Sequence, residues 1–171
     1  MDQAFDAVLF DRDGTLVQDV PYNGDPARVT PMPGAREVLD DLRAHGFRTG
    51  VVSNQSGIGR GLLTAEQVAA VNVRVEELLG RFGTWQICPH HPDDDCACRK
   101  PAPGLVLSAC EALGVRPERT LVVGDIGADV GAAEAAGAVP VLVPTPVTRQ
   151  EEVERAPRTA PDLLAVLELI R

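Results

Sequence analysis

The 171-residue sequence is short of positive charge, of long apolar runs and of cysteine. Lys and Arg number 16 against 25 Asp and Glu, and the net charge of −9 argues against a nucleic-acid or anionic-membrane partner, which would need a basic surface. No run approaches the ~18 apolar residues that span a bilayer, and no basic-then-apolar leader opens the chain. Repeats, low-complexity tracts and long linkers are also missing. We therefore expect one domain over residues 1–171 and a monomer located in the cytoplasm.

Apolar runs alternate along the chain with stretches of helical periodicity, which is typical of an α/β fold. Runs such as Leu121-Val122-Val123 lack polar alternation, so both faces of their sheet are expected to be covered. The pattern predicts a Rossmann-like, doubly wound parallel sheet with helices on both faces. The predicted strands are Phe5–Phe10, Arg48–Ser53, Thr84–Cys88, Thr120–Gly124 and Val139–Val143, and the predicted helices are Gly34–His45, Thr64–Leu79, Pro103–Leu113, Ala128–Ala136 and Pro161–Ile170.

The most informative motif follows the first predicted strand and reads Asp11-Arg12-Asp13-Gly14-Thr15. Two carboxylates two residues apart suit one bound cation, and the glycine lets the backbone turn away. An aspartate in this place can also act as a nucleophile toward phosphorus. An Asp-Gly turn without chemistry explains the same residues, so the choice depends on the rest of the chain.

Further polar residues follow the second and fourth predicted strands. Ser53 begins a glycine-rich segment whose hydroxyl, amide and backbone groups offer donors to phosphoryl oxygens. Asp125 leaves its strand as Asp11 leaves the first, and such strand ends meet at one edge of a parallel sheet, so the two could share one Mg²⁺. Asp129 falls near the start of the next helix, where it is either a cap or a metal contact.

Three of the four cysteines lie in one loop, residues 88–98, together with histidine. The natural ligand set of a tetrahedral zinc site there is Cys88, His90, Cys96 and Cys98. His91 is the alternative to His90, but the Cys-x-His spacing mirrors Cys-x-Cys and favours His90. Four protein ligands leave no open position, so we expect a structural zinc that closes a long irregular loop. Reduced thiols without a metal are the competing interpretation.

Two basic residues, Arg99 and Lys100, follow this loop directly. The Lys100 ammonium could neutralise both an attacking carboxylate and a phosphate, and the Arg99 guanidinium could fork onto a second anionic group. A loop that orders a zinc site and then delivers two cations is difficult to explain as a solvated surface. We therefore favour the catalytic interpretation of Asp11.

Four of these elements, in their order along the chain, carry a resemblance to a known family. They are Asp11-x-Asp13-Gly14-Thr15, Ser53, Lys100 and Gly124-Asp125-x-x-x-Asp129. Together they resemble the haloacid dehalogenase superfamily of phosphatases, and the likeness covers essentially the whole chain. The zinc loop would stand in for the cap domain of larger relatives, so no large cap domain is expected.

The resemblance implies a phosphate hydrolysis in two steps. Asp11 would attack phosphorus and form an aspartyl-phosphate. Asp13 would protonate the leaving oxygen and later accept a proton from water. Mg²⁺ would lie on Asp11, on the main-chain carbonyl of Asp13 and on Asp125. Ser53 and Lys100 would hold the transferring phosphoryl group.

Within the superfamily, the motifs are similar to those of phosphatases that remove the 7-phosphate of a heptose 1,7-bisphosphate. Asn54-Gln55-Ser56-Gly57 and the doubled histidine favour that branch. The short segment between the second histidine and the second cysteine, and an isoleucine after Asp125 where heptose enzymes often carry lysine, weaken it. The expected substrate is a small phosphorylated sugar, with histidinol phosphate or another small phosphomonoester as the alternative. The residues implied to line the sugar and its second phosphate are Asp19, Val20, Pro21, Tyr22, Asn54, Gln55, Ser56 and Arg99.

A phospho-receiver signalling domain is the alternative from another functional class. Such domains also gather aspartates, a hydroxyl and a lysine at the strand ends of a parallel sheet. However, their acceptor aspartate follows the third strand, their acidic pair is adjacent in sequence, and they have no zinc loop. The chain offers no suitable aspartate after its third predicted strand, so we favour the hydrolase.

Overall fold

A computed structural model describes residues 3–170 of the chain. Its centre is a parallel sheet of five strands in the order β3-β2-β1-β4-β5. The strands are β1 (Ala7–Phe10), β2 (Arg48–Asn54), β3 (Thr84–Cys88), β4 (Thr120–Gly124) and β5 (Val139–Leu142). This order is the Rossmann-like arrangement that the alternating pattern predicts, and the prediction of fold class is confirmed.

Helices connect the strands and follow the last one. In the described part of the chain they are α1 (Ala35–Ala44), α2 (Ser56–Gly59), α3 (Ala65–Leu79), α4 (Gly104–Leu113), α5 (Gly127–Ala136), α6 (Gln150–Arg155) and α7 (Leu163–Ile170). Thr64 and Gln67 form a capping box at the start of α3, because each side chain binds the other's main-chain N–H. None of the described helices is long and apolar enough to cross a membrane.

The two faces of the sheet are covered by different helices. Val8 and Phe10 of β1 belong to an apolar core that includes side chains of α1, α3 and α7. Leu9, which points to the opposite face, belongs to a second core formed with α4 and α5. Burial on both faces explains why the central strands lack polar alternation.

The strand register brings the functional segments to one edge of the sheet. Phe10, the last residue of β1, pairs with Val51 on one side and with Val123 on the other. The next main-chain N–H, that of Asp11, donates to the Val123 oxygen at 2.9 Å. Asp11, the end of β2 and the residues after β4 therefore lie side by side at the carboxyl edge.

The observed boundaries differ from the predicted ones at a few places. The first strand begins at Ala7 rather than Phe5, and the last helix begins at Leu163 rather than Pro161. Two short helices, α2 and α6, were not predicted. No residue of α6 is buried, so this helix has no apolar face that hydrophobic periodicity could reveal. The α2 helix is a single turn in a segment that contains two glycines and resembles a loop.

Candidate active site

The Asp11 carboxylate lies at the carboxyl end of β1 and contacts the ammonium of Lys100. Lys100 Nζ donates to Asp11 Oδ1 at 3.0 Å, to Asp129 Oδ1 at 2.6 Å and to the main-chain oxygen of Val52 at 3.0 Å. The lysine side chain is only 2% exposed, and these bonds use all of its ammonium protons. Lys100 is also the one lysine of the whole sequence, a feature that could have drawn attention to it.

Negative charge exceeds positive charge around this contact. Carboxylate oxygens of Asp11, Asp125 and Asp129 lie within 4.8 Å of one another. Burial raises the pKa of Asp11 well above its ordinary value; Lys100 opposes this rise, and the neighbouring carboxylates reinforce it. Burial and the charge of Asp129 raise the pKa of Asp125 to about 6. Three carboxylates against one ammonium leave two negative charges, which a divalent cation with oxygen ligands would match.

Burial has the opposite effect on Lys100. Desolvation alone lowers the pKa of the ammonium, but the charges of Asp11 and Asp129 outweigh it and the pKa is raised. Lys100 is therefore a fixed positive charge at neutral pH. It is suited to electrostatic stabilisation rather than to proton transfer.

The turn after Asp11 requires glycine for two reasons. Gly14 has a φ of +83°, in the left-handed region that favours glycine, and a Cβ there would overlap the Asp125 carboxylate. Thr15 Oγ1 donates to Asp125 Oδ1 at 3.2 Å. The loop after β1 and the loop after β4 are thus packed against each other through Asp125. This packing brings the Asp125 carboxylate beside that of Asp11.

Asp129 uses both carboxylate oxygens within the protein. Its Oδ1 accepts from Lys100, while its Oδ2 accepts from the main-chain N–H groups of Asp125 at 3.0 Å and Ile126 at 3.1 Å. The side chain therefore caps the start of α5 and holds Lys100 at the same time. Of the two alternatives left open for Asp129, this geometry favours the cap.

The Asp13 carboxylate is held by three donors. Arg12 donates to it through Nε at 3.0 Å and through Nη2 at 3.1 Å. Gln55 Nε2 donates to Asp13 Oδ2 at 2.9 Å and lies 2.9 Å from Ser53 Oγ. Arg12 was not predicted as a site residue, because a charged residue between two aspartates gives no sign that it is almost fully buried.

Among the residues predicted to line the sugar, Asn54 has a different contact. Lys100 N donates to Asn54 Oδ1 at 3.0 Å, and Asn54 Nδ2 donates to the Lys100 main-chain oxygen at 3.2 Å. Gln55 binds Asp13 and Ser53, as described above. The Asn54 and Gln55 side chains therefore hold other residues of the candidate site, namely Lys100, Asp13 and Ser53.

The segment Asp19–Tyr22 lies beside the same site. Burial raises the pKa of Asp19, and the nearby charge of Asp13 adds to this rise. Tyr22 is 50% exposed and has a φ of +52°. Its ring packs against Gly57 of α2, where an added Cβ would lie 2.9 Å from Tyr22 Cδ1. Ser56 begins the same turn, so the two predicted substrate loops contact each other.

The four predicted zinc ligands form one cluster after β3. Their ligand atoms lie within 4.8 Å of one another. The sulfur of Cys96 is 3.6 Å from those of Cys88 and Cys98, and His90 Nδ1 is 3.1 Å from Cys98 Sγ. Tetrahedral zinc with Zn–S bonds of ~2.3 Å separates two sulfurs by ~3.8 Å. The donor set and the Cys96 distances therefore fit a zinc ion, whereas Cys88 Sγ and Cys98 Sγ, 2.8 Å apart, would have to separate by about 1 Å to bind it.

His91 has another function in this loop. Its Nδ1 accepts a hydrogen bond from the main-chain N–H of Asp93 at 3.1 Å, and its own main-chain N–H donates to Asp94 Oδ2 at 2.9 Å. These bonds cap the short helical turn Pro92–Asp94. The ring of His91 is thus engaged outside the cluster, which agrees with the preference for His90.

Arg99 borders a cavity between Lys100 and the loop of residues 88–98, called the Cys/His loop below. The cavity is also lined by Asp95, Cys96 and Pro101. Arg99 Nη1 is buried, and no acceptor for it is found among residues 3–170. A buried N–H without an acceptor is costly, so this guanidinium is suited to donate a hydrogen bond to an oxygen of a bound ligand.

Comparisons with known proteins identify the family of the chain. A family model described as haloacid dehalogenase-like hydrolase matches residues 22–137. A relative from Pseudomonas putida, D-glycero-beta-D-manno-heptose-1,7-bisphosphate 7-phosphatase, is 36% identical over 143 residues, which cover 81% of this chain and 82% of the relative. The chain belongs to the haloacid dehalogenase-like hydrolases. Within that family it is a phosphoric monoester hydrolase.

Two solved structures are similar over almost their whole length. The structure of D,D-heptose 1,7-bisphosphate phosphatase from B. bronchiseptica, complexed with magnesium and phosphate, has a TM-score of 0.84 and 29% identity, and covers 95% of this chain and 97% of that chain. The structure of D,D-heptose 1,7-bisphosphate phosphatase from Burkholderia thailandensis has a TM-score of 0.70 and 25% identity, with coverage of 95% and 97%. The resemblance inferred from the motifs is confirmed.

Proposed function

We propose that this protein is a Mg²⁺-dependent phosphatase that removes the 7-phosphate of D-glycero-D-manno-heptose 1,7-bisphosphate through an aspartyl-phosphate. The observation that carries the proposal is the Asp11 carboxylate, held at the end of β1 by Lys100 and beside Asp125. The substrate is inferred from the P. putida and B. bronchiseptica relatives. We further propose that residues 1–171 form one domain that acts as a monomer.

The proposed ligands of Mg²⁺ are the carboxylates of Asp11 and Asp125 and the main-chain carbonyl of Asp13. This donor set fits the ion, because Mg²⁺ favours a few carboxylate and carbonyl oxygens and keeps sites for waters and a substrate phosphate. The two excess negative charges fit it as well. When bound, the ion would supply positive charge to the phosphoryl oxygens. Asp129 is not proposed as a ligand, since both of its oxygens already accept hydrogen bonds.

In the first step, a carboxylate oxygen of Asp11 attacks phosphorus, and the bond from phosphorus to the sugar oxygen breaks. Asp13, in its protonated form, gives its proton to that oxygen. Asp13 is 29% exposed, so its carboxyl group is open to the substrate side as well as held by the protein. The products of this step are the aspartyl-phosphate and the free sugar hydroxyl.

Ser53 and Lys100 hold the phosphoryl group during this transfer. Ser53 Oγ accepts from Gln55 Nε2, so its hydroxyl hydrogen is left to donate to a phosphoryl oxygen. The Lys100 ammonium reduces the repulsion between the Asp11 carboxylate and the phosphate, because its charge is fixed 3.0 Å from Asp11 Oδ1.

In the second step, water attacks the phosphorus of the aspartyl-phosphate. The Asp13 carboxylate accepts a proton from this water, the acyl-phosphate bond breaks, and inorganic phosphate leaves. Arg12 and Gln55 support this role, since their three hydrogen bonds fix the position of the Asp13 carboxyl group. Asp11 returns as a carboxylate.

Arg99 is proposed to bind the second phosphate, which remains on the sugar. Its buried Nη1 has no acceptor among residues 3–170, and Arg99 lines the cavity beside Lys100. The segment Asp19–Tyr22 and the residues Asn54, Gln55 and Ser56 would border the sugar. A bisphosphate would supply an acceptor to Arg99, whereas histidinol phosphate has no second anionic group.

A structural zinc is proposed for the Cys/His loop. Its ligands would be Cys88, His90, Cys96 and Cys98, the four residues whose donor atoms cluster after β3. Four protein ligands complete a tetrahedron, so the ion would stabilise the loop and have no position for substrate. Its contribution to catalysis would be indirect, through the placement of Arg99 and Lys100.

The test is to measure phosphate release from heptose 1,7-bisphosphate and from histidinol phosphate side by side, with Mg²⁺ and after its removal. We expect the higher kcat/KM for the heptose and no turnover without Mg²⁺. Asp11→Asn should abolish turnover, whereas the same substitution at Asp40, which lies exposed on α1, should not. A higher kcat/KM for histidinol phosphate would show that the heptose bisphosphate is not the preferred substrate. Activity in Asp11→Asn would refute the assignment of Asp11 as the nucleophile.

A further inference from the structure

We propose that Asn72 and Arg12 form a relay that positions Asp13 from helix α3. The relay depends on the proposed function only in needing Asp13 as the acid and base of a phosphate ester hydrolysis. It assigns a positioning function to Asn72, a residue of α3 that lies outside every motif considered above.

The first link is between Arg12 and Asp13. Arg12 is 1% exposed, and it is among the largest fully buried side chains of the described residues. Its Nε and Nη2 donate to different oxygens of Asp13, at 3.0 and 3.1 Å. Such a paired contact fixes the plane of the carboxylate, because the guanidinium is rigid and its donors are parallel.

The second link joins Arg12 to α3. Arg12 Nη1 donates to Asn72 Oδ1 at 2.8 Å, over a sequence separation of 60 residues. A guanidinium has no acceptor, so Asn72 must present its oxygen and not its NH₂ group. Asn72 lies between the buried residues Val71 and Val75, which anchor α3 in the core. The guanidinium is thus fixed by a helix that has no other part in the site.

The oxygen acceptor of Asn72 is the group that this function requires. Arg12 is paired with one carboxylate, so its charge is compensated by Asp13. Without an acceptor at position 72, Arg12 Nη1 would lose its hydrogen bond, and the guanidinium could rotate out of the plane of the Asp13 carboxylate. Gln55 holds Asp13 from the end of β2, but through one oxygen only, at 2.9 Å. We therefore infer that the orientation of Asp13 depends on the Asn72–Arg12 contact.

Leaving-group chemistry separates this function from a structural one. A sugar alkoxide is a poor leaving group, so formation of the aspartyl-phosphate from a sugar phosphate needs the proton of Asp13. Nitrophenolate is a stable anion and leaves without a proton. The kcat/KM for each ester reports this first irreversible step. A misplaced Asp13 should therefore lower kcat/KM for alkyl esters and leave that for p-nitrophenyl phosphate unchanged.

The experiment compares wild type, Asn72→Leu, Asn72→Asp and Arg12→Lys on heptose 1,7-bisphosphate, β-glycerol phosphate and p-nitrophenyl phosphate. Asn72→Leu removes the acceptor at similar volume, whereas Asn72→Asp keeps it. Val73→Ala is the matched control on α3, because Val73 is 58% exposed. Thermal unfolding of each variant checks that the fold is retained.

We expect Asn72→Leu and Arg12→Lys to lower kcat/KM for both alkyl esters roughly tenfold to a hundredfold, within the usual contribution of general acid catalysis. The nitrophenyl ester should be cleaved with an unchanged kcat/KM, and Asn72→Asp and Val73→Ala should resemble wild type. An equal loss on all three esters, or no loss on the alkyl esters, would overturn the relay. A wild type that cleaves β-glycerol phosphate and not the heptose bisphosphate would refute the proposed substrate, while the relay would still be judged on the other two esters.

Discussion

Asn54 and Lys100 are joined by a pair of hydrogen bonds between a side chain and a main chain. Lys100 N donates to Asn54 Oδ1 at 3.0 Å, and Asn54 Nδ2 donates to the Lys100 oxygen at 3.2 Å. The Asn54 amide thereby ties the end of β2 to the point where the Cys/His loop enters the site. The position of the Lys100 ammonium beside Asp11 depends on this contact as well as on the loop.

Replacement of Asn54 by alanine should therefore reduce activity through Lys100. Two hydrogen bonds of about 1 kcal/mol each correspond to a loss of roughly tenfold to thirtyfold in kcat. Steady-state kinetics would measure the loss, and the zinc content should not change. Gln86→Ala is a suitable control, because that amide lies on the neighbouring strand β3 and binds Thr84. A variant with wild-type kcat would contradict the proposed importance of the contact.

The proposed zinc site leads to a prediction about Cys96. Cys96→Ala should lower both the unfolding temperature and the activity, because the loop that delivers Lys100 loses a ligand of its metal. A loss of about 2–3 kcal/mol would lower Tm by roughly 5–10 °C in a chain of this size. Calorimetry and elemental analysis would measure the two effects.

Cys110 provides the control for that experiment. It is a buried cysteine on α4, apart from the cluster, and its sulfur is 3.6 Å from Thr120 Oγ1. Cys110→Ala should keep about one zinc per chain. Purified wild-type protein without bound metal would refute the proposed site.

Arg99 should determine whether a second phosphate is preferred. Arg99→Met removes a charged donor worth about 1.5–3 kcal/mol, so kcat/KM for heptose 1,7-bisphosphate should fall roughly tenfold to a hundredfold. The value for β-glycerol phosphate, which has one phosphate, should change little. Arg36→Met is the matched control, since Arg36 is an exposed arginine on α1 that binds Asp40 at 2.9 Å. Equal effects of Arg99→Met on both substrates would exclude Arg99 as the contact to the second phosphate.

Gly14 and Gly61 allow backbone strain to be separated from damage to the site. Both have a positive φ, of +83° and +75°, so alanine is strained at either position. An added Cβ has nothing within 4 Å at Gly61, whereas at Gly14 it overlaps the Asp125 carboxylate. Gly61→Ala should cost about 1–2 kcal/mol of stability and keep activity.

Gly14→Ala should lose activity as well, since Asp125 must move away from Asp11. The loss should be accompanied by a higher Mg²⁺ concentration for half-maximal rate, measured by titration of the rate with Mg²⁺. Equal activity of Gly14→Ala and Gly61→Ala would show that a Cβ at position 14 does not disturb the function of Asp125.

The sheet and the positions of its functional residues were accessible from the sequence. Each of the runs ending near Phe10, Ser53 and Gly124 has adjacent apolar residues that point to opposite faces, which is typical of buried parallel strands. Parallel strands present their carboxyl ends at one edge, so Asp11 and Asp125 had to lie close together. The Cys/His cluster was accessible for a similar reason, because the spacing of its four residues is local.

The contacts between side chains distant in the sequence were not accessible. Nothing in the local pattern indicates that the Asn54 amide binds the main chain of Lys100, or that Arg12 is buried and reaches α3. The helix α6 was also missed, because it buries no residue and so has no apolar period.

The sequence by itself thus determined the fold class, the edge of the sheet that carries the site and the chemical groups available there. These follow from hydrophobic periodicity and from residue types at strand ends, which are properties of short segments. The tertiary structure alone decided which donor meets which acceptor. Asp13 is oriented by Arg12 and Gln55, and Asp129 divides its oxygens between Lys100 and the start of α5. Such pairings depend on how helices and loops pack on the sheet, and the sequence of a short segment does not indicate which distant residue it will contact.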